Sequence, residues 1–136
     1  MNKRIARGLL AATIAAIATI GVTAAQQQDN VITRLADGTR VVNTKTLAPE
    51  VRGFQGPTPL KIYIKAGKIE KVEALPNKET PKYFARVKMQ LLKKYQGMKA
   101  TRAAKAKLDG VTGATLSSNA VKENMRRGLD YYKRHK

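Results

Sequence analysis

The stretch Leu60-Lys61-Ile62-Tyr63-Ile64-Lys65-Ala66-Gly67-Lys68-Ile69-Glu70-Lys71-Val72-Glu73-Ala74-Leu75 carries the clearest β signal in the chain. Leu60, Ile62 and Ile64 alternate with Lys61, Tyr63 and Lys65, so one face is apolar and the other polar. Ala66-Gly67-Lys68 reads as a turn, after which Ile69, Val72 and Leu75 follow with charges between them. The pattern predicts a hairpin with one packed and one solvated face, ended by Pro76-Asn77. Upstream, Val31 to Leu35 and Thr39 to Val42 read as two short strands around Ala36-Asp37-Gly38. Between them and the hairpin, Pro49, Gly53, Gly56, Pro57 and Pro59 break any long element.

Downstream the period changes. Thr80 is placed to cap a helix and Pro81 suits its first turn. Phe84, Val87, Leu91 and Tyr95 then recur at spacings of three and four, and Gly97 suits the stop. A second stripe, Val121, Met125, Leu129 and Tyr132, predicts a last helix from about Ser118 to Arg134, with Ser117 or Ser118 as its cap. The expected class is α+β, a small antiparallel sheet with helices packed on it.

The chain has 136 residues, enough for one domain with a modest core. It has no Cys, which excludes disulfides, thiolate metal sites and a cysteine nucleophile. Its single histidine, His135, excludes a histidine-based metal cluster and a Ser-His-Asp triad. With no Trp and seven other aromatics, base-stacking platforms are sparse, and no nucleic-acid partner is expected. Chemistry in such a chain has to come from something it binds.

Lys3, Arg4 and Arg7 precede an uncharged run from Gly8 to about Val22, which leads to Thr23-Ala24-Ala25. A basic start, an apolar stretch and a small-residue exit describe a secretory signal over residues 1–25. A retained membrane anchor is the alternative, although the run is short of the roughly 20 residues of a span. Residues 26–136 are then one domain, with a core of about 39–134. The net charge of +18 falls to +15 on removal of the segment, because 24 basic and 9 acidic residues remain. The excess belongs to the folded part, and it suits an acidic partner or peripheral contact with an anionic membrane.

Between the helices lies Lys107-Leu108-Asp109-Gly110-Val111-Thr112-Gly113-Ala114-Thr115-Leu116-Ser117-Ser118-Asn119. Small and hydroxyl residues lead here into a helix start, where free backbone N–H groups and a partial positive charge favour an anion. Two local readings stand: a phosphate cradle, or a hydroxyl-rich turn that only caps the helix. The glycine patterns of the common nucleotide loops are absent.

Asp109-Gly110-Val111-Thr112-Gly113-Ala114-Thr115 resembles the flavinylation motif of the FMN-binding domain family: Asp, two variable residues, Ser or Thr, then Gly-Ala-Thr. That family includes soluble domains of the sodium-translocating NADH:quinone oxidoreductase and of a related electron-transport complex. Gly53-Phe54-Gln55-Gly56-Pro57 resembles the family's Gly-aromatic-x-Gly-Pro segment, and Glu79-Thr80-Pro81 its Glu-Thr-Pro. The family's usual Gly-Leu-Gly is replaced by Lys82-Tyr83-Phe84, next to where the family holds the flavin ring.

The resemblance implies FMN joined to Thr115 by a phosphoester. It implies a cofactor environment of Thr112, Gly113, Ala114, Leu116 and Ser117, with Glu79 and Thr80 toward the ring. Asp109 is implied as a determinant read by a flavin transferase that uses FAD and a divalent metal. The expected role is an electron carrier of the periplasm or cell envelope, working with a membrane or envelope redox partner rather than as a stand-alone enzyme. Two alternatives are a non-redox module that binds flavin reversibly and a basic exported protein that binds anionic partners.

Overall fold

A computed structural model describes residues 31–136. The segment read as a signal, residues 1–25, lies outside the described residues. One antiparallel sheet runs in chain order through β1 (Ile32–Arg34), β2 (Arg40–Asn43), β3 (Leu60–Lys65) and β4 (Lys68–Ala74). The helical part comprises α1 (Pro81–Val87), a π-helical turn (Lys88–Leu92), α2 (Lys93–Tyr95), α3 (Ala100–Ala103) and α4 (Thr115–His135). The expected α+β class is the observed one.

The hairpin turns through Ala66 and Gly67, whose φ angles are +50° and +77°. This mirror-image turn matches the twist of the strands it joins. Ile64 faces Ile69 while Tyr63 faces Lys71, so Glu70 is an extra residue on β4. The bulge answers a feature of the sequence. Ile69 and Val72 are three apart and would fall on opposite faces of a regular strand. With Glu70 bulged, Ile69 is buried and Val72 packs against the same core. Beyond β4 the chain returns to cover its edge. Gly97 donates to the Ile69 carbonyl at 2.7 Å, Ile69 to Met98 at 2.8 Å and Ala100 to Gly67 at 2.8 Å.

The first helical stretch begins where Thr80 was placed, but the Thr80 side chain makes no capping bond. The regular helix expected from the stripe is interrupted by the π-helical turn, and both Leu91 and Leu92 are buried there. Gly97, with φ +87°, ends the stretch as expected. Helix α3 had no clear signal in the sequence.

Helix α4 starts earlier than the stripe suggested. Its N-cap is Ala114, which supplies no side-chain bond, and Ser117 and Ser118 lie inside the first turn instead of before it. Val121, Met125 and Leu129 of α4 close the core against Val42, Leu60 and Ile62. Gly128 marks the closest approach: a Cβ there would lie 2.7 Å from Ile62 Cδ1 and 2.9 Å from Thr44 Cγ2. Beside it, a buried polar set ties helix to sheet. Thr44 Oγ1 donates to Asn124 Oδ1 at 2.6 Å and accepts from Leu60 N at 2.9 Å. Asn124 Nδ2 donates to the Ala120 carbonyl at 3.0 Å. Every member has a partner, as burial demands.

Candidate functional site

Thr115 is the first residue of α4, and its neighbourhood is built by three segments. A groove of about 440 Å³ is lined by Phe54 from the loop before β3, Thr80 and Tyr83 at the start of α1, and Gly113, Ala114, Thr115, Leu116 and Ser117. Phe54 is 67% exposed, Tyr83 47% and Leu116 56%, so three of the large apolar residues left open to solvent meet at one place. Apolar walls with a few convergent polar groups are what a planar, partly charged cofactor needs.

The loop that carries Thr115 is held from both sides. Ser118 Oγ donates to the Ala114 carbonyl at 2.7 Å and accepts from Val111 N at 2.9 Å. From α1, Arg86 Nη2 donates to the Thr112 carbonyl at 2.5 Å. Gly113 follows with φ +81°, a conformation that side chains rarely adopt. A Cβ on Gly113 would lie 3.6 Å from Arg86 Nη1, so a guanidinium stands directly against the loop. α4 has no acidic residue of its own in its first turn to oppose the partial positive charge of that end.

Glu79, which the resemblance implies toward the ring, lies behind the groove lining. Its carboxylate is buried, at 5% exposure. Oε1 accepts from Phe54 N at 2.8 Å and from Ser117 Oγ at 2.6 Å, and Oε2 accepts from Gln55 N at 2.5 Å. It does not cap α1; it ties the Phe54 loop to the first turn of α4. Burial by itself would push this carboxyl up, but the Ser117 hydroxyl and the N–H groups of Gln55, Phe54 and Gly56 outweigh it and hold it below its ordinary value. Gly53 makes room for it, since a Cβ at that position would sit 1.9 Å from Glu79 Oε1.

The structure therefore brings together Thr80, Gly113, Ala114, Thr115, Leu116 and Ser117 of the residues singled out in the sequence. Thr112 adjoins them through its carbonyl. Glu79 stands behind the groove wall with both oxygens engaged by protein donors. Asp109 is exposed and outside the groove lining, as are Lys105 and Lys107. Of the Tyr83-Phe84 pair that stands where the family has its glycine-rich turn, Phe84 is buried in the core and Tyr83 reaches the groove. Sequence patterns missed Arg86, which looked like one more cation on the polar side of a helix. They also gave no sign that Ser118 splints the loop.

Fold and groove together define a cofactor-binding domain. The sequence model of the FMN-binding domain matches residues 53–130, more than half of the chain, and the protein belongs to that family. The match takes in both Gly53 and the whole Asp109–Thr115 motif. No curated protein matches the chain in sequence. FMN is the cofactor the family binds, and the groove fits it: exposed apolar walls for a ring, and a helix start with no acid of its own for a phosphate. Among the described residues no group of side chains is arranged to hold a metal ion. None of their helices is long and apolar enough to cross a membrane.

Proposed function

We propose that the protein is an exported electron carrier of the cell envelope, residues 26–136 forming a single domain with FMN joined to Thr115. One observation carries the reading. Thr115 stands exposed at the first position of a 21-residue helix, in the wall of an apolar groove, with no side-chain cap competing for the helix end.

Bound FMN supplies reversible electron-transfer chemistry. The chain's own residues hold and orient it. The free N–H groups at the start of α4 favour the charge left on a phosphodiester. Arg86 adds a cation beside Gly113 and fixes the Thr112 carbonyl. Phe54, Tyr83 and Leu116 offer the ring apolar surface and shield it from water. Attachment balances as transfer from FAD by a divalent-metal-dependent flavin transferase. A bond forms from Thr115 Oγ to the phosphorus of the FMN half, the pyrophosphate bond breaks, AMP leaves and the hydroxyl proton is released. Asp109, exposed and away from the groove, is free to be read by that enzyme. Tethering suits an exported protein, which has no cytoplasmic flavin pool from which to rebind a lost cofactor.

The test is to produce the full chain in an exporting host together with a flavin transferase, denature it and examine the band for flavin fluorescence. Fluorescence that survives denaturation and disappears in Thr115→Val is the expected result. Flavin that leaves on denaturation replaces this reading with reversible binding. A colourless protein removes both. Intact mass of the secreted product reports the loss of residues 1–25 in the same experiment.

A further inference from the structure

From Thr80 to Leu108 the chain carries nine Lys and Arg residues and no acid. Among the described residues none of the nine forms an ion pair, whereas Asp37, Glu50, Glu123 and Asp130 elsewhere are all paired. The fold gathers this charge. One shallow depression of about 700 Å³ is lined by Lys68, Lys99 and Arg102. A second, of about 390 Å³, is lined by Lys71, Lys88 and Lys93 and by Met89, which is 66% exposed. Gln96 lines both, so the two form one strip from the π-helical turn across the covered edge of β4 to α3. The single acid in the strip, Glu73, accepts a bond from the Tyr63 hydroxyl at 3.4 Å.

We infer that this strip is a docking face for the acidic surface of another protein. Six cations held side by side repel one another, and an opposing acidic face removes that cost and speeds encounter. The shape suits carboxylate side chains, because the cations line concave depressions in which Met89 is the one exposed large apolar residue. An anionic membrane is the weaker occupant. Surface helices that bind lipid present an apolar face for insertion. Here Phe84, Val87, Leu91 and Leu92 are spent in the core, which leaves Met89 as the one exposed large apolar residue that lines the strip. Nucleic acid is weaker still, since no exposed aromatic lines the strip for base stacking.

The strip also lies close to the groove. Lys88 follows Tyr83 by five residues in one helical stretch, about 7.5 Å along the axis. A protein seated on the strip is thereby brought to the α1 wall of the groove; that this serves electron transfer rests on the proposed function, while the docking itself does not.

The experiment uses the full chain without flavin and fluorescently labelled polyglutamate as the acidic probe, followed by anisotropy at low ionic strength. Lys93→Glu with Lys99→Glu is expected to weaken binding about tenfold, because each reversal turns an exposed attraction into a repulsion. Lys45→Glu with Lys133→Glu makes the same change in net charge off the strip and is expected to weaken it less than about twofold. Equal losses for the two pairs, or no loss, overturn the inference. It is also overturned if phosphatidylglycerol vesicles or single-stranded RNA bind tighter than polyglutamate and lose that binding in the strip pair. Circular dichroism checks folding. Should the reversed pair unfold, Lys93→Gln with Lys99→Gln is expected to weaken binding about threefold. None of these outcomes bears on whether Thr115 carries flavin.

Discussion

Ser117 donates its hydroxyl to Glu79 Oε1 at 2.6 Å, joining the first turn of the last helix to the residue before the N-cap of the first one. The same carboxylate takes the N–H groups of Phe54 and Gln55. One buried charge thus sets the relative positions of all three walls of the groove beside Thr115. Hydrogen-bonded burial of this kind makes a carboxylate hard to replace, because each donor around it would be left without an acceptor.

Glu79→Gln tests this directly. An amide keeps one acceptor oxygen and turns a donor toward donors, which costs about 1–3 kcal/mol. The flavin-free protein should show that loss in urea unfolding, with a slope close to that of the parent. Gly53→Ala crowds the same oxygen and should act on the same element. The double variant should therefore lose less than the two single losses combined. Full additivity, or an unchanged midpoint for Glu79→Gln, would show that the carboxylate does not tie the walls.

Acid should weaken the fold in a defined window. The Arg126 guanidinium bonded to Glu123, assisted by Arg127, holds Glu123 down to about 2 from an ordinary 4.5. Glu79 is lowered as well. A carboxyl whose folded pKa is depressed contributes stability that is full above its unfolded value and lost as pH falls through the folded one. Stability should hold above pH 4.5 and decline progressively toward pH 2. Glu123→Gln should flatten part of that decline in a series of unfolding curves. A fold whose stability is flat between pH 5 and 2.5 would contradict both assignments.

Gly128→Ala should destabilise although alanine favours helix. The gain in propensity is about 1 kcal/mol. Against it stands a Cβ 2.7 Å from Ile62 Cδ1 and 2.9 Å from Thr44 Cγ2. Thr44 is fully buried and bonded to Asn124, so it has little freedom to move. Overpacking of this sort costs about 1–3 kcal/mol, and the net change should be a loss. Adding Ile62→Val removes the nearer of the two atoms and should restore part of it. If Gly128→Ala raises the thermal midpoint, the helix and sheet are not in the contact described.

The hairpin, the two helical stripes and the Gly97 stop were legible because each is a periodic pattern whose reading needs only neighbours in the chain. The bulge at Glu70 was half legible: Ile69 and Val72 had the wrong spacing for one face, and only the pairing with Tyr63 and Ile64 resolves it. The start of α4 was misjudged because Ser117 and Ser118 are good caps in isolation. In the fold their hydroxyls are drawn away, one to Glu79 and the other to the Val111–Ala114 loop. The motif singled out Thr115, and the resemblance Glu79 and Ser117, but not the contacts that hold the loop. Arg86 is 26 residues from the carbonyl it holds, and Glu79 is 38 from Ser117. No local pattern records contacts at that distance.

Arg86 supplies the last prediction. Its guanidinium reaches from α1 to the Thr112 carbonyl at 2.5 Å and lies against Gly113, which needs its positive φ to bring Thr115 onto the helix start. The residue has two effects, geometric and electrostatic, and two variants separate them. Arg86→Lys keeps the charge but gives up the planar fork that meets a carbonyl and a nearby anion together. Arg86→Met keeps much of the stem and removes the charge. If loop placement governs attachment, both should slow flavin transfer to Thr115 about tenfold, since a charge-assisted bond partly open to solvent contributes about 1 kcal/mol or somewhat more. If charge governs it, only Arg86→Met should be slow. Initial rates of flavin incorporation, with folding checked by circular dichroism, decide between them. Two variants as fast as the parent would remove Arg86 from the site altogether.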